Sequence, residues 1–399
     1  MRAIILCLFS TLIFSAHAFS QTVTPEDSLQ KGMASEKTTY ISGYGEAKVS
    51  YNTHFKTANA NLTRVVLFVG HKFSKKISFL SELELENAKV EGDEEGGEVA
   101  FEQAYLKFDL NKSMYLQAGL FIPRIGILNE NHLPTTFNGN DRPFMETLLI
   151  PSTWRELGIS LNGNFNKIQG LNYTLAVVNG LNSAGFENGT GIREGRFEGK
   201  NATASNIALT GSLLYYIKDF RIQLSGYYGG SAGLSERDAD SLQLNSGAFG
   251  TPVALGELNV QYNHKRFSAR AIGAIVQIPD ADKINRAYAS NTPETMAGGY
   301  IEVAYNLFPK QKLDAFVRYE NFDLNSKIPS NGIENDILKQ QYIVAGLTYL
   351  PVKGVVVKLD YVYKQTGDIN PALNLNPFPN APLYYTTNSF INLGFGYSF

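Results

Sequence analysis

The amino-acid sequence predicts an all-β fold: a transmembrane antiparallel up-and-down β-barrel of about 16 strands, with short periplasmic turns and long extracellular loops. Three observations carry that expectation. Beyond Ala18 no window is as long and apolar as a membrane-crossing helix, which needs about 20 such residues. Segments of roughly ten residues, alternating apolar and polar, recur to the end of the chain. The breaks between them alternate between tight and long.

The first element is an export signal. Met1-Arg2 is a short basic start, Ala3 to Phe14 is an apolar run, and Ala16-His17-Ala18 is a small-residue cleavage site, so residues 1–18 read as a secretory signal peptide. Cys7 lies inside that run with no lipobox before it, and its removal leaves an exported chain without thiol or disulfide chemistry. Residues 19–39 are expected to form a short N-terminal periplasmic segment. Composition narrows the class further: 18% of the 399 residues are charged, and Lys+Arg 35 against Asp+Glu 37 leave no basic tail, which argues against nucleic acid as a partner.

Sixteen alternating segments fill residues 40–399. They begin near Tyr40, Leu62, Lys76, Glu98, Met114, Thr153, Gly170, Ser205, Arg221, Pro252, Arg266, Met296, Lys312, Gln340, Gly354 and Ser389. Parity is the sharper signal. In the third, Ile77, Phe79, Leu83 and Leu85 oppose Glu82, Glu84 and Glu86. In the thirteenth, Leu313, Ala315, Val317 and Tyr319 oppose Asp314, Phe316, Arg318 and Glu320. In the fifteenth, Val355, Val357, Leu359, Tyr361 and Tyr363 oppose Lys358, Asp360 and Lys364. Charges confined to one parity mean strands with one apolar and one wet face.

A soluble sandwich and a membrane barrel share that pattern, and three features favour the barrel. Tight breaks such as Ser74-Lys75, Lys218-Asp219 and Val352-Lys353 follow even segments, whereas Arg124 to Ser152, Gly180 to Ala204, Ser231 to Thr251 and Gln365 to Asn388 follow odd ones. Aromatic residues gather near segment ends, as in Tyr215-Tyr216, Tyr227-Tyr228 and Tyr361 to Tyr363, where an interfacial girdle would sit. The chain stops inside its last segment, with Leu393, Phe395, Tyr397 and Phe399 on one parity. So apolar an edge would aggregate unless it closed against the first strand.

These features resemble bacterial outer-membrane porins. The stretch Gly139-Asn140-Asp141-Arg142-Pro143-Phe144, followed by Pro151-Ser152-Thr153-Trp154-Arg155-Glu156-Leu157-Gly158, resembles the phosphate-selective porin O/P family. The resemblance implies a sixteen-stranded passive channel in the outer membrane of a Gram-negative bacterium. It also implies a homotrimer, set among lipid and lipopolysaccharide, that passes small hydrophilic solutes or ions, anions such as phosphate among them. Tyr397 and the terminal Phe399 would be the signal read by the barrel-assembly machinery. The loop after the fifth strand would fold into the barrel and narrow it. The lumenal charges depart from the family's cationic ladder. Parity places Lys48, Arg64, Arg221, Arg270, Arg318, Lys358 and Lys364 inside, together with Glu46, Glu82, Glu84, Glu86, Glu156, Glu257, Glu302, Asp314, Glu320 and Asp360.

The break over residues 124–152 holds the constriction candidates Arg124, Glu130, His132, Asp141, Arg142 and Glu146, because a barrel of this size is otherwise an open aqueous channel. Asp141-Arg142 and Arg155-Glu156 read equally as pairs that anchor one another. Pore-lining candidates are Lys48, Arg64, Glu82, Glu84, Arg270, Asp314, Arg318, Glu320, Lys358 and Asp360. The acidic run Glu91 to Glu98 reads as a solvated loop rather than a cation site, and Trp154 as an anchor at the membrane rim. His54, His71, His132 and His264 show no metal-ligand spacing, and no nucleophile elbow or phosphate loop occurs, so no enzyme activity, cofactor or metal is expected. The alternative function is surface binding or adhesion through the long loops. A rim hydrolase would need a Ser/His pair that no motif supplies.

Overall fold

The computed structural model describes residues 38–88, 97–368, 370 and 385–399. The signal peptide, the segment up to residue 37, most of the acidic run from Glu91 and most of the break from Gln365 to Asn388 lie outside the described residues.

Sixteen strands form one sheet: β1 (Thr39–Asn52), β2 (Thr57–Lys72), β3 (Ile77–Glu86), β4 (Val99–Asn111), β5 (Met114–Phe121), β6 (Glu156–Asn164), β7 (Leu171–Asn179), β8 (Ile207–Ile217), β9 (Phe220–Gly230), β10 (Pro252–His264), β11 (Phe267–Gln277), β12 (Thr295–Asn306), β13 (Lys312–Lys327), β14 (Lys339–Val352), β15 (Val355–Thr366) and β16 (Thr387–Ser398). Each pairs antiparallel with its sequence neighbour. The sheet closes where β1 meets β16, from Tyr44 opposite Ser398 to Asn52 opposite Phe390. Closure leaves no unpaired edge in hydrocarbon. The expected strand starts hold to within a few residues except in β2. It begins earlier, at Thr57, a start hidden in the sequence because Thr57 to Asn61 has little hydrophobic contrast.

Parity sorts the faces. Val317, Tyr319, Val357, Leu359 and Tyr361 are exposed on the outside, while Arg318, Glu320, Lys358 and Asp360 are buried within the barrel. Long connections run along one rim, at residues 122–155, 180–206, 231–251, 278–294 and 328–338. The other rim holds tight connections, and the short β1–β2 turn at residues 53–56 sits with the long ones.

Two features were not visible in the alternation. The barrel is partly dry inside: Tyr44, Val66, Phe68, Leu80 and Tyr105 from β1–β4 join Ile125, Ile127, Leu133, Met145, Leu149, Ile150 and Trp154 in one buried cluster. The β3–β4 register also slips between Glu82 and Leu83, which pair with Gln103 and Phe101 and leave Glu102 as an extra residue. This bulge turns both Glu102 and Gln103 inward.

Candidate functional site

The longest connection, residues 122–155, leaves β5, crosses the inside of the barrel and returns to β6. It carries one short helix, α1 (Phe144–Leu148). Its path is fixed by polar groups on strands all round the wall. Gly126 O accepts from Gln223 Nε2 of β9 at 3.1 Å. Glu130 pairs with Arg221 of β9 and lies 3.4 Å from Arg124. His132 Nε2 lies 3.1 Å from Glu82 and 3.5 Å from Glu102. Asn138 Nδ2 donates to Glu302 of β12 at 3.0 Å, the Asn140 backbone N–H donates to Asp360 of β15 at 2.7 Å, and Asp141 pairs with Lys48 of β1. The Met145 N–H donates to Glu320 of β13 at 2.9 Å. Close approach to β16 needs glycine. A Cβ at Gly394 would collide with the Asn140 side chain, and one at Gly396 with the Pro134 ring.

The wall charges are paired in turn. Arg64 bonds Glu46 and Glu84, both at 2.8 Å, and lies 3.6 Å from Glu86. Arg318 bonds Glu320 at 2.8 Å and Glu302 at 3.1 Å, and Arg270 reaches Glu302 at 3.2 Å. Asp314 accepts from Asn306 at 3.0 Å. The Lys358 ammonium sits 3.6 Å above the Phe137 ring. Arg142 is partly buried, and its Nε and Nη2 have no hydrogen-bond partner. Burying a charge is costly unless it is paired, and apart from Arg142 and Lys358 these charges find partners on the loop or the wall.

Two loop groups carry displaced pKa values. Burial pushes the Glu146 carboxyl up to about 7, against the lowering effect of the Leu128 and Ile127 N–H groups and the Tyr300 hydroxyl, which bond it at 2.8, 2.6 and 2.7 Å. Burial pulls the His132 imidazole down, but the Glu82 and Glu102 carboxylates override it and hold the pKa up at about 9.

Three expectations are corrected. Trp154 is fully buried inside the barrel: its ring lies 4.8 Å from Tyr227, and its indole N–H donates to Glu156 at 2.5 Å. An interior partner for the N–H outweighs a place at the membrane rim. Tyr227 likewise faces inward rather than joining an outer girdle. The sequence-adjacent pairs do not form. Asp141 takes Lys48, while Arg155 takes Glu198 at 2.7 Å, because neighbours in an extended chain point apart. Sequence reasoning also missed Glu102, whose parity the bulge reverses, and Tyr300, which looks like an ordinary strand aromatic.

Cavities flank the loop. On the tight-turn side one of about 680 Å³ is bounded by Thr135, Phe137, Asn138, Gln261, Arg270 and Asp314. A second on that side, of about 310 Å³, lies beside Arg124, Glu130 and Lys107. On the long-loop side, one of about 200 Å³ lies among Glu84, Glu86, Arg155, Arg193, Arg196 and Glu198.

No family model matches the chain. It is 31% identical over 345 residues to an uncharacterized protein of Aquifex aeolicus (strain VF5), covering 82% of this chain and 76% of that one. Solved structures share its fold at low identity. An anion-selective porin from Comamonas acidovorans has a TM-score of 0.55 at 13% identity, covering 90% of this chain and 99% of the porin. The outer membrane channel DcaP of Acinetobacter baumannii has a TM-score of 0.56 at 13% identity, with 90% and 97% covered. OmpF of Salmonella typhi, in complex with daunomycin, has 0.56 at 12% identity, with 90% and 97% covered.

Proposed function

We propose that this chain, which belongs to one family with the Aquifex aeolicus protein and carries the porin barrel, is a passive outer-membrane channel for small hydrophilic solutes or ions. The observation that carries this reading is the loop of residues 122–155, which brings charged and amide side chains across a polar-walled lumen and leaves cavities on both sides. Solutes diffuse through water, and the charges at the loop–wall seam bias ions by their local field. In this reading Lys48, Asp141, Arg270 and Asp314 line the narrow part. Arg318, Glu320 and Asp360 hold the loop in place. Tyr397 of the closing strand and Phe399 just beyond it are the assembly signal, and three copies assemble, each barrel with its own channel.

Paired charge of both signs favours weak ion selectivity over a dedicated phosphate path. The test is single-channel conductance in planar bilayers, with reversal potentials under a KCl gradient and phosphate titrated in. Discrete steps are expected. Replacing residues 126–150 with a short Gly-Ser linker is expected to raise the step several-fold. Strong anion preference with phosphate block would restore phosphate selectivity. Folded, inserted protein that never conducts would overturn the channel and shift the reading to surface binding through the long loops.

A further inference from the structure

Glu82 on β3, Glu102 on β4 and His132 on the lumen loop converge at one point of the inner wall. All three side chains are essentially excluded from solvent. His132 Nε2 stands 3.1 Å from Glu82 Oε1 and 3.5 Å from Glu102 Oε2, and the three donor atoms lie within 4.8 Å of one another. An ion with tetrahedral bonds of about 2.0–2.1 Å holds its ligands about 3.3 Å apart, the spacing of the two His132 contacts. Histidine spacing in the sequence carried no such pattern. The site is assembled by a β-bulge and by a loop that crosses the lumen.

Three further observations favour a cation over a plain ion pair. Glu102 Oε1 is buried with no hydrogen-bond partner, an arrangement that is costly for a carboxylate unless a cation or donor completes it. Outer groups orient the two carboxylates: Gln103 Nε2 donates to Glu82 Oε2 at 2.9 Å, and the Tyr44 hydroxyl donates to Glu102 Oε2 at 3.4 Å, while His132 Nδ1 has no partner. The charge count also fits a divalent cation that displaces the imidazolium proton. Arg64 is committed to Glu46 and Glu84, which leaves two carboxylates facing one imidazole. A divalent ion on a neutral imidazole and two carboxylates sums to zero.

We propose that Glu82, Glu102 and His132 bind a divalent transition cation of the Zn²⁺ type, which clips the lumen loop to β3 and β4. One imidazole nitrogen with two carboxylates suits such an ion. Ca²⁺ and Mg²⁺ would need a fuller oxygen shell than these residues supply. The clip stands independently of whether the barrel conducts.

The experiment uses the full folded chain in detergent, stripped with EDTA. Co²⁺ titration is expected to give intense visible absorption bands of tetrahedral type, bleached on adding one equivalent of Zn²⁺ per chain. Equilibrium dialysis of Glu102→Gln and His132→Gln, with folding checked by heat-modifiable gel mobility, is expected to show affinity at least about 100-fold weaker. Bound Zn²⁺ should also protect the wild-type loop from trypsin at Arg124 and Arg142. Wild-type protein that yields no tetrahedral Co²⁺ spectrum and retains no Zn²⁺ overturns the proposal and leaves a buried ion pair. Equal Zn²⁺ binding by folded variants overturns it too, by placing the ion elsewhere. The wild-type spectrum decides the matter even where a variant fails to fold.

Discussion

The two sides of the inner wall hold the same loop by different physics. Along β1–β4 the wall presents Tyr44, Val66, Phe68, Leu80 and Tyr105, and the loop answers with Leu133 and the fully buried His132. Along β10–β15 it presents Gln261, Arg270, Glu302, Asp314 and Arg318, the loop answers with amide groups, and a cavity of about 680 Å³ remains between them. Apolar surfaces close on each other to exclude water, whereas polar contacts of fixed geometry leave gaps that water fills. Both sides hold the loop, and in the proposed channel a solute passes through the gaps that the polar contacts leave.

The largest test of that contrast is Arg318→Met. The guanidinium is almost fully buried between Glu302 and Glu320 and also donates to the Asn138 carbonyl at 3.3 Å. Its loss leaves Glu320 with the Met145 N–H and Glu302 with Arg270 and Asn138, and breaking a buried pair costs about 3–5 kcal/mol. The urea midpoint of the barrel should fall clearly and channel noise should rise. Arg270→Met, at a site 18% exposed, should cost less. If Arg318→Met unfolds with the wild type, the polar side contributes little to holding the loop.

A smaller effect is expected at Glu146, which bonds Tyr300 of β12. Its carboxyl is raised from the usual value of 4.5 to about 7 by burial, so it favours the docked loop in its protonated form. Docking is therefore strongest below about pH 4.5 and weakens as pH rises through 7, by about 3 kcal/mol at most. Trypsin cleavage within residues 122–155 should quicken between pH 5 and 8. Glu146→Gln keeps an oxygen for the Ile127 and Leu128 N–H groups and should abolish that dependence. A pH slope that survives in Glu146→Gln assigns the titration to another group.

The barrel was legible because lipid enforces one rule on every strand, and Val317, Tyr319, Leu359 and Tyr361 obey it in the sequence as they do on the outer face. The interior was legible only where it is charged. In Val65 to Val69 both parities are apolar, so nothing local told that Val66 and Phe68 face inward; their partner is a loop distant in sequence. Glu102 was missed because a bulge is set by pairing with β3, not by the pattern of β4 alone. The crossing loop was recognisable by length and polarity, but its partners were not: Asp141 passes over adjacent Arg142 for Lys48, and Arg155 passes over Glu156 for Glu198.

The gentlest intervention tests where ions pass. Lys48 and Asp141 pair at the seam between wall and loop, with side chains 25% and 29% exposed. A pair this wet contributes about 0.2–1 kcal/mol, so Lys48→Gln and Asp141→Asn should unfold almost as the wild type does. Their electrical effects should be opposite. Lys48→Gln leaves Asp141 to draw cations, and Asp141→Asn frees Lys48 to draw anions. The reversal potentials should move in opposite directions from the wild type, more at 0.01 M salt, where screening reaches about 30 Å, than at 1 M, where it reaches about 3 Å. If neither variant moves the reversal potential at low salt, ions avoid the Lys48–Asp141 seam. The conducting route would then run beside Arg124 and Glu130, on the flank of the smaller cavity, and the division into a dry and a wet side would have to be redrawn around β5–β9.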